Sequence, residues 1–153
     1  MLIALDPGTD KFGWAVTTDS GDLLLSGVSA LGDLEAWAAA VLGGDFPFLR
    51  EKALERSGAE DSRVFPGFVI VGSGTGSAGC IKKLVSSGLR VEKVSEEFST
   101  ERGRELYWLI HPPRGLRRLL PKGLLVPPRT IDDLAAWSLI LQYLGRGRDH
   151  FRV

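Results

Sequence analysis

Short apolar runs of the kind that make strands open this chain, and helical periodicities take over further along it. Leu2–Leu5 is a continuous apolar run, which predicts a central buried strand. Residues 12–18, FGWAVTT, predict a second strand, and the turn DSGD (19–22) joins it to a third, LLLSGVSA (23–30). These three read as an antiparallel meander. The stretch GDLEAWAAAVLGG (32–44) has helical spacing, with Asp33 as the expected cap and Gly43–Gly44 as the stop. The polar stretch REKALERSGAEDSR (50–63) predicts helix and then loop.

The pattern changes at FVIVGSGTGS (68–77), where a β-branched run ends in alternating glycines and SAGCIKKLVSSG continues at helical spacing. A strand, LRVEKVS (89–95), and an amphipathic helix near TERGRELYWLI follow. Strand–helix–strand order implies right-handed parallel crossovers. Proline and glycine repeatedly break residues 111–129, which predicts an ordered loop or short turns. TIDDLAAWSLILQYLG (130–145) predicts a closing helix. The whole reads as one α/β domain over residues 1–153, with a mixed five-stranded sheet flanked by helices: the meander plus two parallel strands.

Composition narrows the function classes without selecting one. A chain of 153 residues, 44% of them hydrophobic, is long enough for one core. Lys+Arg and Asp+Glu both number 19, so any basic surface must be local. Cys80 is the single cysteine, which excludes an intrachain disulfide and suits a reducing compartment. MLIALD lacks a basic leader region, and no apolar run approaches the roughly 18 residues of a membrane span. A soluble, cytoplasmic protein with no membrane partner is expected.

Acids at the ends of predicted elements change the picture. Asp6 closes the first strand, Glu96 (with Glu97 beside it) follows the strand LRVEKV, and Asp132 and Asp133 sit in the first turn of the last helix. In α/β sheets, ligands collect at the carboxyl ends of parallel strands, where Asp6 and Glu96 would approach each other. A helix amino terminus aimed at that edge would add Asp132 or Asp133. Converging carboxylates repel, and Mg²⁺ or Mn²⁺ relieves the repulsion with hard oxygen ligands and room for a phosphate. Each acid also has a bland explanation: a turn at Asp6-Pro7-Gly8, a solvated pair at Glu96–Glu97, helix-end electrostatics at Asp132–Asp133.

These segments resemble a known family. ALDPGTDKFGWAV resembles the D-x-G-x(4)-G strand-turn of the RNase H-like superfamily. SEEFST resembles the E-x-x-[ST]-T segment of its RuvC/YqgF branch, the Holliday-junction-resolvase-like nucleases, and IDDLAAWSLILQYL resembles that branch's closing helix. The resemblance covers nearly the whole chain. It implies an RNase H-like fold and a Mg²⁺-dependent endonuclease acting on branched DNA or on ribosomal RNA precursors. The catalytic, metal-binding acids it implies are Asp6, Glu96 and either Asp132 or Asp133, since the pattern can be counted to each. Gly8 and Gly13 would shape the first hairpin. Where family members often carry an aspartate before the glutamate, this chain has Ser95.

A phosphodiester substrate needs cations beside those acids. Between Ile110 and Thr130 the chain carries Arg114, Arg117, Arg118, Lys122 and Arg129 and no acid, and Arg146, Arg148 and Arg152 add a basic tail. Interleaved with Tyr107, Trp108 and His111, these arginines are expected to contact phosphates and stack on bases. VGSGTGSAG lacks the Gly-Lys-Ser/Thr ending of a Walker A loop and reads as a tight strand-to-helix turn. Two other classes stay open: a nucleic-acid-binding protein on the same fold with little catalysis, and an actin-like nucleotide domain, which needs two such lobes. Resolving a junction would need two active sites and hence a homodimer.

Overall fold

The computed structural model describes residues 1–57, 67–95, 97 and 99–145. Glu96 and the tail arginines Arg146, Arg148 and Arg152 lie outside the described residues, as does the side chain of Lys122. Six strands, β1 (Leu2–Pro7), β2 (Lys11–Thr17), β3 (Leu23–Ala30), β4 (Ala53–Arg56), β5 (Phe68–Gly72) and β6 (Arg90–Val94), form one sheet in the order β4-β3-β2-β1-β5-β6. The meander β1-β2-β3 is antiparallel, and β5 and β6 run parallel to β1. Helices α1 (Leu34–Gly43), α2 (Phe46–Lys52) and α3 (Ser77–Ser86) pack on one face. Helices α4 (Ser99–Ile110) and α5 (Asp132–Tyr143) pack on the other. No helix among the described residues is long and apolar enough to cross a membrane.

The sixth strand is a correction to the five expected. Ala53–Arg56 falls where the sequence predicts helix giving way to loop. Its helical composition is overridden because β3 presents an unpaired edge, on which Arg56 pairs with Leu25 and Glu55 with Ser26. Two boundaries also differ. Asp33 holds the N-cap position of α1, but its side chain makes no capping bond, because a 3₁₀ turn over Leu31–Asp33 leads into the helix. The last helix begins at Asp132 rather than Thr130. Gly44 does end α1, in the left-handed region at φ 66°.

Strand alternation sorts residues by size. Ile3, Leu5, Phe12, Trp14 and Val16 face α1 and α3 and fill that core with bulk. Ala4, Gly13, Ala15 and Ser26 lie at the alternate positions, the side on which α5 packs. Small residues there let α5 settle close to the sheet. α4 then covers it, so every residue from Asp133 to Leu141 is buried. The crossing of α4 and α5 also depends on a small residue: a Cβ at Gly103 would lie 2.9 Å from the backbone nitrogen of Ala135.

Gly103→Ala is therefore expected to destabilise the fold by about 1–3 kcal/mol, as overpacking does. Gly79→Ala, in open space on α3, is expected to stabilise it by roughly 0.5–1 kcal/mol. Urea denaturation with unchanged slope tests both, and equal midpoints for the two variants would contradict the close crossing.

Candidate functional site

Asp6 owes its direction to strand period. Leu2, Ala4 and Asp6 alternate onto the α5 face of β1, so the chain turns an acid towards the helix layer at the point where the strand ends. Its antiparallel partner is Gly13. A Cβ at Gly13 would lie 2.0 Å from the carbonyl oxygen of Asp132, so the first residue of α5 rests directly on the bare backbone of β2. The hairpin before it is equally tight. Gly8 N–H donates to the Lys11 carbonyl at 3.0 Å, and a Cβ on Gly8 would come within 2.8 Å of that oxygen. These two glycines bring Asp6 and Asp132 into one cleft of about 350 Å³, walled by Pro7, Gly8, Thr9, Asp10 and Lys11.

Among the described lining residues, three aspartates stand against one lysine. Lys11 Nζ lies 2.6 Å from Asp132 Oδ2, an ion pair without hydrogen-bond angles, and that oxygen is shielded from solvent. Both side chains are substantially exposed (45% and 36%), so the pair contributes only about 0–1 kcal/mol. The turn after β5 abuts the same region: Gly76, at φ 87°, sits so close to the hairpin that a Cβ there would lie 3.1 Å from the Gly8 carbonyl. This is the tight strand-to-helix turn expected of the glycine-rich stretch.

The register of the parallel strands extends the site edge. Leu5 pairs with Val71, and the next position of β5, Gly72, pairs with Val94, so β1, β5 and β6 end on one side of the sheet. Ser95 follows β6, and its hydroxyl accepts the Glu97 N–H at 3.4 Å. Ser95 thus shapes a turn at the position where the resembled family often has an acid. Glu96, the remaining expected ligand, lies outside the described residues. Among the described residues, no group of three or more His, Cys, Asp or Glu side chains is arranged to hold a metal ion.

The two neighbouring acids of the last helix have separate surroundings. Asp132 lines the cleft, whereas Asp133, about 100° further round the helix, is fully buried. Arg129 grips Asp133 with both terminal nitrogens, at 2.8 Å to Oδ1 and 3.2 Å to Oδ2, and Ser26 Oγ donates to Oδ2 at 2.8 Å. Arg129 also reaches Glu55 Oε1 at 2.5 Å, and His111 Nε2 meets the same oxygen at 2.8 Å. The guanidinium lies 5.5 Å from the centre of the Tyr107 ring. Burial alone would raise the Glu55 pKa, but bonds from His111 and Arg129 outweigh it and hold the carboxyl below its ordinary 4.5. For Arg129, burial would lower the pKa, and its bonds to Asp133 and Glu55 raise it instead.

The expected nucleic-acid contacts divide accordingly. Arg114, Arg117 and Arg118 are exposed. Arg129 is engaged within the fold. Tyr107 and Trp108, expected to stack on bases, are instead buried against α5, with Trp108 Nε1 donating to the Leu125 carbonyl at 3.2 Å. The apolar positions of α4 face the core, and this outweighs their proximity to the arginines. Sequence reasoning also passed over Lys11, Asp10 and Glu55. The D-x-x-x-D-K spacing of the first hairpin was the available signal for the first two; Glu55 had none, since its strand was not foreseen.

The chain matches no protein-family model, and no curated protein matches it significantly.

Arg129→Ala would strand a buried carboxylate and is expected to cost about 3 kcal/mol, against less than about 1 kcal/mol for Lys11→Ala. Chemical denaturation distinguishes them. Because the folded pKa of Glu55 is depressed, its contribution is present above the ordinary carboxylate value and fades as pH falls through the folded one. Glu55→Gln is therefore expected to flatten the loss of stability as pH falls below the ordinary carboxylate value of 4.5; a parent-like acid profile in that variant would count against the network.

Proposed function

We propose that this chain is a metal-dependent endonuclease that hydrolyses phosphodiester bonds in structured nucleic acid, branched DNA or a ribosomal RNA precursor, on an RNase H-like fold. One observation carries the proposal: Asp6 and Asp132, remote in sequence, share a cleft at the edge where parallel strands end. The sheet order, with a meander followed by two strands parallel to its first, supports the fold assignment. The exposed Arg114, Arg117 and Arg118 supply the cations that a polyanion requires.

The donor set fits Mg²⁺ or Mn²⁺. Carboxylate oxygens are hard ligands, three aspartates line the cleft, and it leaves volume for water and a phosphate. Asp6 and Asp132 would hold the ion, with Glu96 as the further ligand implied by the family resemblance. A divalent cation there supplies Lewis acidity and charge neutralisation for phosphodiester hydrolysis. The protein's own groups do the rest. Gly13 fixes the spacing of the two carboxylates, and the Asp133–Arg129 pair anchors the first turn of α5, so that Asp132 stays turned outward. Lys11 neutralises Asp132 when no other cation does, and lies within the cleft to meet a substrate phosphate. Two copies would be needed for paired incisions in a four-way junction.

A second reading, nucleic-acid binding with little or no catalysis, is favoured by the Lys11–Asp132 pair, which already neutralises one candidate ligand. Calorimetry and cleavage separate the two. Under the first reading, Mg²⁺ binds the parent protein, and Asp6→Asn and Asp132→Asn each abolish that binding and reduce cleavage at least about a hundredfold, several kcal/mol in the barrier. Undiminished cleavage by Asp6→Asn would refute the nuclease assignment. Absence of Mg²⁺ uptake with intact nucleic-acid binding would establish the second reading.

A further inference from the structure

Neither stability nor positioning calls for the Lys11–Asp132 ion pair. The first turn of α5 is fixed without it: the Asp132 carbonyl rests against the bare backbone of Gly13, and Asp133 is held by its bonds to Arg129 and Ser26. The pair is also loosely made. Lys11 Nζ lies 2.6 Å from Asp132 Oδ2 at angles that form no hydrogen bond, and among the described residues that oxygen has no hydrogen-bond donor. A shielded carboxylate oxygen without a donor is under-satisfied, and a hard divalent ion bound to it directly would remove that cost. The two ends of Lys11 differ in freedom. Its backbone is held, with the carbonyl accepting the Gly8 N–H and the strand position paired to Ala30. Its ammonium ends a flexible four-carbon stem, and the side chain is 45% exposed. The head group is the part of the pair that moves most easily.

Resting on the metal-dependent reading above, we infer that Lys11 gates the metal site: its ammonium occupies Asp132 until a substrate phosphate draws it away, so nucleic acid and the divalent ion load the cleft cooperatively. Lys11 and Asp132 line one cleft, and the ammonium and an entering ion compete there for the same oxygen. An exposed lysine–carboxylate pair is closed in roughly half to five-sixths of molecules. A site closed in that fraction binds its ion about two- to sixfold more weakly. A phosphate that takes the ammonium restores the lost factor, and by linkage the ion raises affinity for the phosphate by the same factor. Direct contact between ion and phosphate adds a coupling that does not involve Lys11, so the gate is the part of the coupling that disappears with the lysine. A pair that merely pinned α5 would behave in the opposite way, since its loss would loosen Asp132 and weaken ion binding. The gate keeps Asp132 neutralised in the metal-free protein and assembles both cations only around a bound polyanion.

Isothermal titration calorimetry with Mg²⁺, alone and with a short single-stranded DNA present, tests the gate on the parent chain, Lys11→Met, Lys11→Arg and Lys83→Met. The DNA supplies phosphodiesters without the structured sites proposed for cleavage. Without DNA, Lys11→Met is expected to bind Mg²⁺ about two- to sixfold more tightly than the parent. The tightening that DNA produces should shrink in that variant by the same factor. Lys11→Arg keeps a cation on the stem and should restore parent-like behaviour. Lys83 is exposed on α3, across the sheet, so Lys83→Met controls for bulk charge and should bind Mg²⁺ as the parent does. Equal Mg²⁺ affinity in the parent and Lys11→Met, weaker binding by Lys11→Met, or an equal gain in Lys83→Met would each overturn the gate and leave the metal-dependent reading standing. So would an unchanged effect of DNA in Lys11→Met. Mg²⁺ uptake by neither the parent nor Lys11→Met would overturn the gate and the metal-dependent reading together.

Discussion

The arrangement of this protein hangs on the space left where Gly13 has no side chain. The amino-terminal turn of α5 occupies that space, with the Asp132 carbonyl where a Cβ would otherwise be. Three consequences follow from one contact. The last helix lies flush on the meander, Asp132 is delivered opposite the strand position of Asp6, and Asp133 is driven inward, where no water can solvate it. A larger residue at position 13 would change all three at once, because the backbone of β2 cannot yield without breaking its ladders to β1 and β3.

Burial of Asp133 then dictates much of the surrounding chemistry. A carboxylate with no solvent access needs both oxygens satisfied, and the Arg129 fork with the Ser26 hydroxyl does this. Arg129 is itself three-quarters buried, so its charge calls for a further acid, which the edge strand β4 supplies as Glu55. The same glutamate meets His111 at the end of α4. Through this chain of compensation the long proline-rich excursion begins and ends at one point, within a few residues of Asp132. The arginines and leucines that it carries between those ends are exposed.

Much of the architecture was legible because it is written locally. Short apolar and β-branched runs marked β1, β2, β3, β5 and β6, glycine marked the end of α1, and helical spacing after Asp132 marked the closing helix. β4 was not legible: Ala-Leu-Glu-Arg has helical composition and became a strand only because β3 offered it an edge. Tyr107 and Trp108 were misleading for a related reason, since aromatic residues beside arginines look alike in sequence whether they face water or core.

Residue types and spacing by themselves determined that acids would stand at the ends of strands and helices and that a cationic, acid-free segment would precede the last helix; that Gly8 and Gly13 would shape the first hairpin was implied by the family resemblance. Only the tertiary structure decided which of two adjacent aspartates faces the cleft and which arginine is withdrawn into the fold. Periodicity is a property of neighbouring residues, so it can be read from a line of letters. The fate of a charge depends on which distant groups replace its water, and β3, β4 and α4 meet Asp133 and Arg129 only once the sheet and its helices have closed together.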